Sequence, residues 1–204
     1  AAARVRVLSP AQIVERLQDR FALLAGARGA AARQATLRAA IDWSWDLLTP
    51  WEQTALAQCS VFEGGFTLEA GELVLDLSAW SEAPPAMDAI QSLVDKSLLR
   101  IWVPKTAQGR LRIAEPYFGM YLSIHEYASE KLRTEGALPD RASGAAAERT
   151  ASERHGSCYA RLGTDEALEA LGTHGGVARR QALVLELENL VAACRRAVGR
   201  EDAS

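Results

Sequence analysis

Cysteine and histidine are both scarce in this 204-residue chain, with three of each. Cys59, Cys158 and Cys194 are odd in number and far apart, which fits free thiols in a reducing cytoplasm and not a disulfide framework. His125, His155 and His174 have no cysteine at zinc-ligand spacing, so no metal site is expected. A net charge of -3 gives no bulk attraction for nucleic acid or an anionic membrane. No apolar run approaches the roughly 20 residues that a membrane span needs. The opening AAARVRVLSP lacks the apolar centre of a signal peptide. No Gly-Lys pair occurs, so the phosphate-cradling pattern G-x-x-x-x-G-K-[ST] is absent.

What is present is ordinary for a globular protein: 49% hydrophobic and 24% charged residues, at a length that allows one large domain or two small ones with a real core. Aromatic residues make up only 6%, yet Trp43, Trp45 and Trp51 fall close together. Three uses compete for them: core anchors at a helix corner, a stacking platform for bases, or a partner-binding patch. Arg33 and Arg38 nearby are opposed by Asp42, Asp46 and Glu52. That balance does not make the basic groove that stacking needs, and it favours packing or domain contact.

The periodicity predicts a mainly helical chain. Ser9-Pro10 opens a helix carrying Ile13, Val14, Leu17 and Phe21, and Gly26 and Gly29 break the pattern. A helix from about Arg33 to Leu48 places Leu37, Ile41, Trp45 and Leu48 on one stripe, with Trp43 turned away. Thr49-Pro50-Trp51-Glu52 carries a capping box for the next helix, which runs to about Phe62–Gly65. Short and longer helices follow at about Thr67–Leu75 and Met87–Leu98. Leu99 to Val103 then alternates as a strand does, and after the turn PKTAQG so does Arg110 to Ala114. Helix, strand, turn, strand is the order of a winged-helix domain after its recognition helix. A helix from Ser123 to Thr134, a hinge at Gly136–Asp140, and an alanine-rich helical tail over Ala142–Val198, broken near Gly172–Gly176, complete the chain.

The stretches AAARVRVLSP, LRAAIDWSWDLL, SVFEGGFTLEA, LVDKSLL and IHEYASEKL, in that order, resemble the middle of bacterial STAND signal-transduction ATPases, nucleotide-switch proteins related to the NB-ARC group. The resemblance covers about residues 1–135, and the tail loosely resembles the tetratricopeptide-like region that follows in such proteins. It implies three parts: residues 1–32 as the remnant of a helical domain and linker, 33–135 as a winged-helix domain with a small β-hairpin wing, and 136–204 as a helical repeat region. It further implies a fragment without its ATPase core. Such a fragment would hold no cofactor itself, ATP or ADP belonging to the full-length protein. The family's Met-His-Asp triplet, whose histidine senses the nucleotide phosphates, falls on Met120, Tyr121 and Leu122. Methionine agrees; the other two do not. Tyr121 either offers its hydroxyl to a phosphate in the full-length protein or simply packs.

The expected role is therefore a non-catalytic relay. Its partners would be the nucleotide-binding and sensor domains of its own parent, with protein partners possible through the tail. Two alternatives stand: a DNA-binding winged-helix regulator, or a helical scaffold for protein partners. Against DNA, the outer face of the expected recognition helix offers Asp88, Gln91, Ser92, Asp95 and Lys96, two carboxylates to one ammonium. Arg100, Lys105, Arg110 and Arg112 on the wing could hold phosphates without reading sequence. Ser123 and His125 point to different sides of a helix and make no nucleophile–base pair.

Overall fold

A computed structural model describes residues 28–104 and 115–199, with side chains from residue 35 onward. The expected helix at 9–21, the expected strand at 110–114, and Lys105, Arg110 and Arg112 lie outside the described residues. The chain forms two compact units, residues 1–47 and 48–204.

The described part of the first unit is helix α1 (Arg28–Asp46). It starts earlier than expected and runs through Gly29. The alanines that follow favour helix strongly enough to absorb one glycine in the first turn. Trp45 is 4% exposed and Trp43 is 68% exposed, as the helical stripe predicts.

The second unit is winged-helix-like, mainly α with a small antiparallel sheet. Its first helix, α2 (Pro50–Cys59), begins at a complete capping box. The Thr49 amide donates to Glu52 Oε2 at 2.8 Å, and the Glu52 amide donates to Thr49 Oγ1 at 3.4 Å. Strand β1 (Phe66–Thr67) leads into α3 (Leu68–Val74), where Thr67 caps the Ala70 amide. Helix α4 (Ala86–Asp95) turns Ala89, Ile90 and Leu93 inward. It stops three residues short of the expected end, because Ser97 takes a φ of 60° and the amides of Leu98 and Leu99 both donate to the Leu93 carbonyl.

Strand β2 (Arg100–Trp102) follows. Its partner is β3 (Tyr117–Gly119), which the alternation pattern did not indicate. Sheet order is β1-β3-β2, all antiparallel, with Phe66 opposite Phe118 and Trp102 opposite Tyr117. Helix α5 (Leu122–Arg133) then packs on α2. Phe62 stacks on Phe66 with centroids 4.3 Å apart, and Leu56, Val74, Ile90, Leu93, Tyr127 and Leu132 fill the core around them.

The tail continues in the same unit. Helix α6 (Ala145–Ala160) packs on α3, α5 and the last helix. After a 3-10 turn come α7 (Asp165–Ala170), α8 (Gly176–Leu185) and α9 (Leu187–Gly199). Gly175, at φ 82°, caps α8 in the predicted break. No described helix is long and apolar enough to cross a membrane.

Candidate functional site

Three places could carry function: the outer face of α4, the edge of the sheet near Tyr121, and the joint between sheet and tail.

On α4, Asp88, Gln91 and Asp95 are exposed, and Gln91 Nε2 donates to Asp95 Oδ1 at 2.7 Å. The other two residues of the expected reading face are engaged elsewhere. Ser92 Oγ donates to Glu52 Oε1 at 2.6 Å, and Lys96 Nζ pairs with the same oxygen. Glu52 is 2% exposed, so one carboxylate closes the α2 capping box and anchors the end of α4. Burial alone would push the Glu52 carboxyl up. The bonds from Lys96, Ser92 and Thr49 outweigh it and hold the group at about 2. The outward face thus carries two carboxylates and an amide, and its one cation, Lys96, though exposed, is paired with the buried Glu52. A face of that sign repels a phosphate-lined groove.

At the sheet edge, the Arg100 guanidinium lies over the Trp102 ring at 4.6 Å and over the Tyr121 ring at 5.7 Å. Tyr121 is 59% exposed and is the N-cap residue of α5, its carbonyl accepting from the amides of Ile124 and His125. Met120 and Leu122 flank it, Leu122 being exposed as well. Tyr121 and Arg100 are therefore brought together on an open surface. Trp102 covers two glycines: a Cβ on Gly65 would come within 2.6 Å of its ring and one on Gly119 within 3.0 Å.

The joint is the most built of the three. Asn189 on α9 is fully buried. Its Oδ1 accepts from the Glu63 amide at 2.8 Å, and its Nδ2 donates to the Gly65 carbonyl at 2.7 Å and to Glu186 Oε2 at 3.1 Å. His155 Nε2 lies 3.3 Å from the same Oδ1. Glu186, between α8 and α9, also accepts from the β3 hydroxyl of Tyr117. That bond and burial push the Tyr117 phenol well above its usual range, burial contributing most. His155 is sandwiched by Tyr159 and Phe62, with centroids 4.7 and 5.4 Å away. Burial holds its imidazole down at about 4, so it is neutral at physiological pH.

Two arginines extend the joint. Arg196 Nη1 donates to the Val61 carbonyl at 2.7 Å, and its Nη2 lies 3.6 Å from Glu63 Oε1. Arg154 Nε donates to the Val74 carbonyl at 2.6 Å, and its Nη2 to Gln58 Oε1 at 3.0 Å. Gln58 in turn brackets Asp76, accepting from its amide and donating to its carbonyl. The arginine bonds run from tail helices α6 and α9 to α2, to α3 and to the loop that follows α2.

The sequence showed no metal-ligand spacing at His155 and did not single out Asn189, Glu186 or Tyr117. One signal was available. Asn189 and Arg196 are seven residues apart in LENLVAACRR, so they share a helix face opposite the valines. His125 bonds the Phe62 carbonyl at 3.0 Å, and His174 is exposed; neither joins a catalytic arrangement among the described residues.

The chain is similar to proteins of mycobacteria. It is 45% identical over 139 residues to Rv0890c of Mycobacterium tuberculosis H37Rv and to Mb0914c of Mycobacterium bovis. Both are named, provisionally, as HTH-type transcriptional regulators. The match covers 67% of this chain but 14% of either relative. It is 36% identical over 137 residues to the uncharacterized protein Rv0894 of M. tuberculosis H37Rv, covering 67% of this chain and 33% of that protein. The chain thus spans a small part of the length of these relatives. No family model and no solved structure matches it.

Proposed function

We propose that this chain is a regulatory segment of a larger transcription regulator, and that its second unit transmits conformational state without catalysing a reaction. The observation that carries the reading is the buried joint at Asn189. It ties the sheet to the tail through directional bonds, so a push on either is felt by the other as rigid-body motion. In the finer form of the reading, the parent is a STAND-type nucleotide switch. Residues 1–32, 33–135 and 136–204 are then its helical remnant, winged-helix relay and repeat region. The partners are its own nucleotide-binding and sensor domains, in the cytoplasm. ATP or ADP is bound by the parent's core, with the exposed Tyr121 hydroxyl the nearest contact that this chain could offer.

A second reading is direct DNA binding by the winged helix. The names of the mycobacterial relatives and the exposed Arg100 favour it; the acidic outer face of α4 opposes it. Fluorescence anisotropy with labelled duplexes separates the two. The relay reading expects no binding tighter than about 100 µM at physiological salt, no better than non-specific contact. Micromolar binding that weakens steeply with salt, and is lost in Arg100→Ala, would put the DNA reading in its place.

A further inference from the structure

The exposed edge of the sheet and the buried joint meet at one side chain. Trp102 on β2 is half-buried, and its ring lies against the backbone of Gly65 and Gly119. The turn that contains Gly65 is also held by α9. Asn189 accepts from the Glu63 amide and donates to the Gly65 carbonyl. A Cβ on Gly64, which sits at φ 78°, would fall 2.2 Å from the Glu188 carboxylate. The Gly65 amide folds back to donate to the Glu63 carbonyl at 2.9 Å. Gly65 is thus bare backbone, touched by the Trp102 ring and gripped by Asn189.

A second route joins the same two residues. Trp102 and Tyr117 are paired across β2 and β3, with ring centroids 6.2 Å apart. The Tyr117 hydroxyl donates to Glu186, and Glu186 accepts from Asn189 at 3.1 Å. The outer side of Trp102 is held too, because the exposed Arg100 guanidinium sits over its ring and reaches the ring of exposed Tyr121. A ring seated on glycine meets no side chain that could yield in its place, so a tilt of the ring passes to the turn.

We propose that Trp102 couples the Arg100–Tyr121 edge of the sheet to the seating of α9, so that a change at the edge alters the grip of Asn189 on the turn. The proposal rests on the relay reading, for which it supplies a route from surface to joint. Trp102 and Asn189 share Gly65 as a partner, and residues that share a partner do not act independently.

Native-state hydrogen exchange at the α9 amides of the 204-residue chain reads this coupling. Trp102→Leu removes the ring and should speed their exchange about tenfold, and the milder Trp102→Phe about threefold. Arg100→Ala, at an exposed position, should speed it about twofold. The decisive arm is a cycle with Asn189→Ala. Once Asn189 no longer grips the turn, Trp102→Leu should add no more than about threefold. In Glu52→Ala, a change that touches neither Trp102 nor the joint, it should still add about tenfold. Plain loss of ring packing would give the same factor in both backgrounds. If the leucine variant fails to fold, Trp102→Phe carries the same cycle. Equal factors in the two backgrounds overturn the proposal, as does an α9 indifferent to Arg100→Ala or to both Trp102 changes. An α9 that loosens in Asn189→Ala but ignores Trp102 keeps the relay reading and removes this route.

Discussion

Replacing Asn189 by alanine tests the joint where it is densest. The side chain satisfies the Glu63 amide, the Gly65 carbonyl and one oxygen of Glu186, and it meets His155 Nε2, all with no exposure of its own. Each buried partner left without its bond costs about 1–3 kcal/mol, and water reaching the small cavity recovers part of that. The net loss should be about 3–5 kcal/mol, a large share of the 5–15 kcal/mol that holds a typical domain folded. At roughly 2–4 °C per kcal/mol for a unit of this size, the midpoint should fall by about 6–20 °C. Asn189→Asp is the sharper companion. It keeps the shape and the acceptor, but it removes both donations and sets a carboxylate beside Glu186. Chemical and thermal unfolding, followed by far-ultraviolet circular dichroism, gives both numbers. If both variants unfold within about 1 kcal/mol of the parent, the bonds at Asn189 do not hold tail to sheet and the reasoning fails.

Three more expectations rest on other parts of the structure. His155 has a folded pKa of about 4 against an unfolded 6.5, so the unfolded chain takes up the proton first. The stabilisation is complete above pH 6.5 and is lost as pH falls to about 4, by up to about 3 kcal/mol; urea midpoints across that window check it, and His155→Gln should flatten the slope. Glu52→Ala removes the reciprocal half of the capping box and the partner of Ser92, and should cost about 2–3 kcal/mol in the same unfolding assay. Gly65→Ala drives a Cβ to 2.6 Å from the Trp102 ring, and should cost about 1–3 kcal/mol and shift tryptophan emission, with no change expected if Trp102 swings freely.

Long-period features were legible in the sequence. The helical stripe that buries Trp45 and exposes Trp43, the capping box at Thr49, and the inward Ile90 and Leu93 all follow from spacing and cap chemistry. The sheet was less so. Strands of two and three residues carry too little alternation to register. Tyr117-Phe118 was hidden because its pairing with β2 is set by burial against Phe66 and Glu186 and not by local pattern. The joint was the least visible. A lone asparagine in a helix reads as a surface residue until the loop at Glu63–Gly65, more than a hundred residues away, is seen to meet it. The same blindness applied to Lys96, counted toward a DNA-reading face although its charge is committed to Glu52.

Native-state hydrogen exchange on the whole chain asks whether sheet and tail are one cooperative body. If they are, the amides of α9, β3 and Glu63 open with a common free energy, and Asn189→Ala lowers all of them together. Protection in α9 several kcal/mol below that of the sheet, with the sheet untouched by the substitution, would mean that the tail rides loosely and relays nothing.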